Sequence, residues 1–273
     1  MSSKDQEKRY NWVLDTHLHL YPDYDLGVFL RTLARRIKAT PHVVSDAIVG
    51  GVVADTERCR GWGMLRDGTF PGVGEFPVTQ VDNETLSVDV DGVTLHIFRG
   101  VQVVTQERVE VLGVVPQGEV LSAQPLEATI DQIESFRGIP VLPWSPGKWW
   151  GRRGTIIQDA FRKNPGLWAG DIPMRCSHRA LRLGLGKDSR TPSRLLWGSD
   201  PLPIRGEEGM AGTLMTAVEG DPDAAVVAAE PARELSKMLR GPFRTFDPVG
   251  GPGSCIASVR RWIAARVATI LND

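Results

Sequence analysis

Residues 13–22 read VLDTHLHLYP: two histidines one leucine apart, with an aspartate two positions before the first. A β-strand turns alternate side chains to opposite faces. On that spacing Asp15, His17 and His19 share one face, and Leu14, Thr16, Leu18 and Leu20 share the other. Three polar groups on one face of an apolar strand are costly to bury without partners. A metal ion is such a partner, because carboxylate and neutral imidazole are both ligand types.

The segments that follow alternate between helix and strand patterns. Residues 25–38 place Leu26, Phe29, Leu30, Leu33 and Ile37 at helical spacing. An apolar run over 48–54 ends at Asp55. Residues 60–77 are glycine-rich and read as loop. Residues 85–98 alternate about Asp91-Gly92, a hairpin signal, and strands are expected at 99–104 and 109–115. A helix over 125–136 begins at proline. IPVLP (139–143) is a short buried strand, and SPGKWWGRRG (145–154) a loop leading into a helix at 155–163. Two apolar runs, 167–171 and 194–200, end in Asp171 and Asp200; residues 208–271 read as mostly helical.

Strands alternating with helices indicate an α/β class. The polar strand ends His19, Asp55, Asp171 and Asp200 span most of the chain, and a β/α barrel gathers such ends on its C-terminal face. The expected architecture is one domain over 1–273. It comprises a distorted TIM-like β/α barrel at about 10–205 and a helical C-terminal part at about 206–273.

Composition narrows the function classes. The chain is 41% hydrophobic and 24% charged, an ordinary globular balance. Its 32 Lys+Arg against 33 Asp+Glu give no global pull toward nucleic acid or an anionic membrane, so neither is expected as a partner. No apolar run approaches the ~20 residues of a membrane span. The polar start MSSKDQEKRYN lacks the apolar core of a signal peptide. Cys59, Cys176 and Cys255 are scattered and odd in number, which points to a reducing cytoplasm rather than a disulfide framework.

DTHLHL (15–20) resembles the first motif of the polymerase and histidinol phosphatase (PHP) family and of the wider amidohydrolase-like hydrolases. In these, His-x-His at the end of the first strand binds a catalytic divalent metal. Further motifs are similar in order. VVADTE (52–57) sits at the family's Asp-His pair, and RGVQVVTQERVEVLGV (99–114) at its Gly-x-Glu strand. IPVLPWSPG (139–147) sits where a strand leads into His-Pro, and LLWGSDPLP (195–203) resembles the late Gly-Ser-Asp. The match covers about residues 12–203 as scattered motifs. Thr56, Gln102, Trp144 and Leu202 stand where the family has ligands. The resemblance therefore carries over His17, His19, Asp55 and Asp200. It implies one divalent metal (zinc, manganese or iron) or none, in place of a multinuclear site.

In that frame Asp200 completes the site and takes a proton from bound water. Asp55 is either a partner of the site or a helix N-cap. Asp171 is a proton shuttle or an ion-pair partner of Arg175. Lys148, Arg152 and Arg153, with Arg175, are the cations expected to bind substrate, since guanidinium and ammonium suit phosphate or carboxylate. The tryptophans of the same loop either pack inward or stack on a substrate. The expected function is a metal-dependent hydrolase acting on a small anionic substrate. A phosphoester is the first substrate class, and an amide or lactone the second. The competing class is a non-catalytic binder of a small anion on a degenerate scaffold. The oligomeric state stays open.

Overall fold

The structure is a computed structural model that describes residues 8–145, 148–174, 194–219, 229–241, 245–251, 260–261 and 263–264. Its strands are β1 (Tyr10–Leu18), β2 (Val43–Asp55), β3 (Val78–Asp82), β4 (Thr85–Val90), β5 (Val93–Val104), β6 (Glu110–Val114), β7 (Ile139–Pro143), β8 (Trp168–Asp171), β9 (Leu195–Trp197), β10 (Leu214–Glu219) and β11 (Phe246–Gly250). The helices among these residues are α1 (Leu26–Lys38), α2 (Gly61–Arg66), α3 (Leu126–Ser135), α4 (Gly151–Lys163) and α5 (Pro231–Arg240).

The strands form one sheet in the order β11-β10-β1-β2-β5-β6-β7-β8-β9, and the β3–β4 hairpin extends from β5. The pairs β1–β2, β2–β5, β7–β8 and β8–β9 are parallel. The others are antiparallel. The sheet curls until β9 meets β1 and β10. Thr16 Oγ1 donates to the Trp197 carbonyl at 2.9 Å, and the Trp197 N–H donates to Thr216 Oγ1 at 2.7 Å. The result is an α/β fold with a nearly closed, barrel-shaped mixed sheet. A uniform run of parallel βα units does not describe it.

Three apolar layers follow from strand alternation. Trp12, Leu14, Val52, Phe98, Leu112 and Leu196 fill the interior, and Leu235, Met238 and Leu239 of α5 pack into it. α1 and α2 cover one outer face through Phe29, Leu30, Leu33 and Trp62. α3 and α4 cover another through Ile130, Ile133, Ile157 and Ala160. α1 begins where expected because the Asp25 carboxylate accepts the Val28 N–H at 2.9 Å. The hairpin turns at Asp91 and Gly92, with φ of 50° and 74°, as a type I′ turn requires.

Several boundaries differ from the sequence reading. β5 is one strand over 93–104, since its first half pairs with β4 and its second with β6. Residues 60–77 contain α2 and a single 3-10 turn. α4 begins at Gly151, so Arg152 and Arg153 lie in its first turn. The C-terminal part is not mainly helical in its described residues, because it supplies β10 and β11. LMTAVE is buried along nearly its whole length, and periodicity does not separate such a run from a buried helix. Here β1 decides, because β10 covers its otherwise open edge.

Candidate metal centre

The end of β1 departs from strict alternation. Val13 packs in the outer layer and Leu14 in the interior, yet Leu18 and Leu20 pack in the outer layer with Val13. Odd and even positions exchange faces where pairing with β2 is irregular, between Asp15 and Leu18. His17 and His19 therefore face the barrel mouth, and Asp15 keeps the outer face of Val13. This corrects the expectation that all three share a face. Asp15 instead ties the chain together. Its carboxylate accepts from the backbone N–H groups of His17 (3.2 Å), Ser199 (2.9 Å) and Gly212 (2.8 Å), and from the Ser199 hydroxyl. Burial pushes its carboxyl up to about 6 despite these bonds.

The Gly-Ser-Asp segment closes against β1 through all three of its residues. Gly198 lies so near His17 that a Cβ would come within 2.3 Å of the His17 nitrogen. Ser199 holds Asp15. Asp200 donates its N–H to the His17 carbonyl at 2.8 Å, with φ of 44°, a left-handed conformation that aspartate tolerates. Arg261 bonds the Asp200 carbonyl at 3.2 Å while pairing with Glu207. Gly198→Ala is therefore expected to displace β9 from β1 and remove metal binding without altering any ligand. Metal titration of the folded variant checks this; wild-type affinity would refute it.

Three ligand groups converge. His17 Nε2 lies 3.2 Å from His19 Nε2, and Asp200 Oδ1 lies 3.7 Å and 3.6 Å from these two atoms. Bonds of ~2.0–2.1 Å to one tetrahedral ion separate ligand atoms by roughly 3.4 Å, so the spacing fits a single cation. His17 and His19 are buried, and Asp200 is partly exposed at the mouth. The His19 Nδ1–H donates to the Ala54 carbonyl at 3.0 Å, which leaves the Nε2 lone pair for a cation. Burial and the adjacent His17 imidazole hold His19 below the usual imidazole range, in its neutral, ligating form. His17 is less prepared. Its Nδ1 is buried without a partner, and its Nε2 lies 2.8 Å from Gln102 Oε1.

The remaining sequence candidates fall in different places. Asp55 is not part of this cluster, and its carboxylate accepts from the Trp62 N–H at 2.9 Å and the Gly63 N–H at 3.3 Å, capping α2. Asp171 ends β8, is buried, and accepts the Ile172 N–H at 2.8 Å. Lys148 is ion-paired with Glu110. Arg153 donates to the Arg108 carbonyl at 3.4 Å, and Arg152 is exposed. Trp149 is buried and donates to the Pro143 carbonyl at 3.0 Å, a packing role, whereas Trp150 is 67% exposed. Arg175 and Cys176 lie outside the described residues.

Three residues at the centre were not among the sequence candidates. Gln102 stands where the resembled family has a ligand, and it contacts His17 directly. The Tyr21 ring lies 5.8 Å from that of His19. Burial, with the Asp200 and Glu110 charges adding, raises its phenol, so it stays a protonated donor. Glu110 acts electrostatically on both His19 and Tyr21. The available signal was parity with Gln102 on paired strands, which is meaningful only once the pairing is known.

No family model and no curated protein matches the chain. Among solved structures, PsfC from Pseudomonas syringae PB-5123 is similar over 94% of this chain and 98% of its own, with a TM-score of 0.55 and 14% identity. The lesion-specific endonuclease PfuEndoQ from Pyrococcus furiosus is similar over 87% of this chain, with a TM-score of 0.46 and 12% identity. Endonuclease Q in complex with a 27-mer duplex substrate carrying an abasic lesion matches over 88%, with a TM-score of 0.47 and 12% identity. This chain spans 58% and 60% of those two endonuclease chains. What it shares with PsfC is the fold. The expectation of no nucleic-acid partner is corrected here, since Endonuclease Q is described with a DNA duplex as substrate. Balanced net charge does not support that exclusion, because nucleic-acid binding depends on local charge at the contact. Among the described residues no helix is long and apolar enough to cross a membrane.

Proposed function

We propose that this protein is a metal-dependent phosphoester hydrolase with its centre at the barrel mouth. The observation that carries this reading is the convergence of His17, His19 and Asp200 from strand ends far apart in sequence. A divalent metal bound there supplies an activated water near neutral pH and polarises the phosphoryl oxygen. Two imidazoles and one carboxylate leave room for water, as in three-ligand catalytic sites.

The chain's own groups do the rest. Asp200 is both ligand and proton acceptor beside the attacking water. The Tyr21 phenol donates a hydrogen bond into the centre. Lys148, held at the mouth by Glu110, hydrogen-bonds a phosphoryl oxygen, and Arg152 and Arg153 add positive charge at the start of α4. Asp171, at the end of the neighbouring strand, carries protons to or from the leaving group. The apolar barrel interior excludes bulk water beneath the site.

The test loads the purified chain with zinc, manganese or iron and follows hydrolysis of p-nitrophenyl phosphate and bis(p-nitrophenyl) phosphate. Metal-dependent release lost in Asp200→Asn is expected. Turnover indifferent to chelator would refute the reading.

A further inference from the structure

Glu110 matches no ligand position of the resemblance, yet the strand register carries it to the metal centre. β6 runs antiparallel to β5, with Leu112 opposite Gln102 and Glu110 opposite Val104. Leu112 and Val114 pack in the barrel interior and Val111 in the outer layer. Period two therefore turns Glu110 inward, one step nearer the mouth than the Leu112–Gln102 pair. Gln102 in turn touches His17. From the β7–α4 connection, Lys148 reaches the Glu110 carboxylate; their side chains are 37% and 19% exposed. The mouth thus holds a partly desolvated ion pair beside the ligand groups.

Charge arithmetic gives this pair a consequence. The Glu110–Lys148 pair adds no net charge to the mouth, whereas Lys148 alone would add one positive charge. A phosphodiester carries one negative charge, and a phosphomonoester carries two at mildly alkaline pH. We propose that Glu110 is a specificity-determining residue: by neutralising Lys148 at the metal mouth it lowers the site's preference for dianionic phosphomonoesters relative to monoanionic phosphodiesters. This rests on the hydrolase reading above and says how its site discriminates substrates by charge. Without the Glu110 charge, the free ammonium adds a positive charge to the mouth, which strengthens attraction of a dianion more than that of a monoanion. At separations near ~10 Å and an effective dielectric of ~20, one extra unit of ligand charge changes affinity on the order of tenfold.

The experiment uses the full chain loaded with manganese at pH 8. Calorimetry compares inorganic phosphate, a dianion there, with dimethyl phosphate, a monoanion. Turnover of p-nitrophenyl phosphate is compared with that of bis(p-nitrophenyl) phosphate. Glu110→Gln is expected to shift the binding ratio toward the dianion about tenfold, and turnover in the same direction, with metal content unchanged. Adding Lys148→Met to that variant is expected to cancel the shift. A Glu110→Gln ratio shifted toward the monoanion overturns the inference. So does an unchanged ratio in a Glu110→Gln protein that still holds metal, with the hydrolase reading intact. A wild type that binds no metal overturns both.

Discussion

His17→Ala and His19→Ala are each expected to weaken divalent-metal binding on the order of a thousandfold, and to abolish metal-dependent hydrolysis. With three converging ligand groups, removal of one leaves two, too few to hold an ion against its hydration. The two variants should differ in detail. His19 is set for coordination by its bond to the Ala54 carbonyl, while the buried Nδ1 of His17 has no acceptor. The His19 variant should therefore lose more affinity. Elemental analysis and titration calorimetry decide the matter, with at most one equivalent expected in the wild type. Gln102 offers a neutral amide, Trp144 and Leu202 have no suitable donor, and so bridging groups for further ions are lacking at those positions. Two or three equivalents, or a histidine variant that keeps its metal, would refute this account.

Asp15→Ala is expected to destabilise the fold by about 3–5 kcal/mol, a large part of the ~5–15 kcal/mol typical of a domain. The carboxylate is fully buried and receives hydrogen bonds from His17, Ser199 and Gly212. Truncation leaves those donors without an acceptor, and the seam between β1 and the Gly-Ser-Asp segment opens. Urea unfolding checks the magnitude; a loss within about 1 kcal/mol would show that water replaces the carboxylate without penalty. The pH dependence has a definite sign. Because burial raises this carboxyl from 3.8 to about 6, the folded chain holds its proton more tightly than the unfolded chain. The resulting stability is full below the unfolded value and is lost as pH rises through about 6. Asp15→Asn removes this titration, so the stability gap between wild type and variant should widen as pH falls from 7 to 4.

The sequence alone determined the ligand types, the α/β class and most strand positions. Apolar runs of four to seven residues ending in Asp or His are visible without coordinates, and His-x-His with a late Gly-Ser-Asp names the groups that meet. Tertiary structure decided which strand ends converge. Asp55 and Asp200 look alike locally, each an aspartate just beyond an apolar run. The chain after Asp55 folds back so that two N–H groups of α2 occupy its carboxylate, whereas Asp200 is carried to the histidines by close packing of Gly198 on His17. Asp15 shares the period of His17 and His19 in sequence, but an irregular step in β1 turns it to the outer face, where Ser199 and Gly212 take it. Glu110 reads as an ordinary polar position at a strand start until its pairing with β5 turns it inward. Periodicity reports which residues share a face within one strand. Which face is inside, and what stands opposite, depends on sheet closure and register, and these are set by contacts between segments distant along the chain.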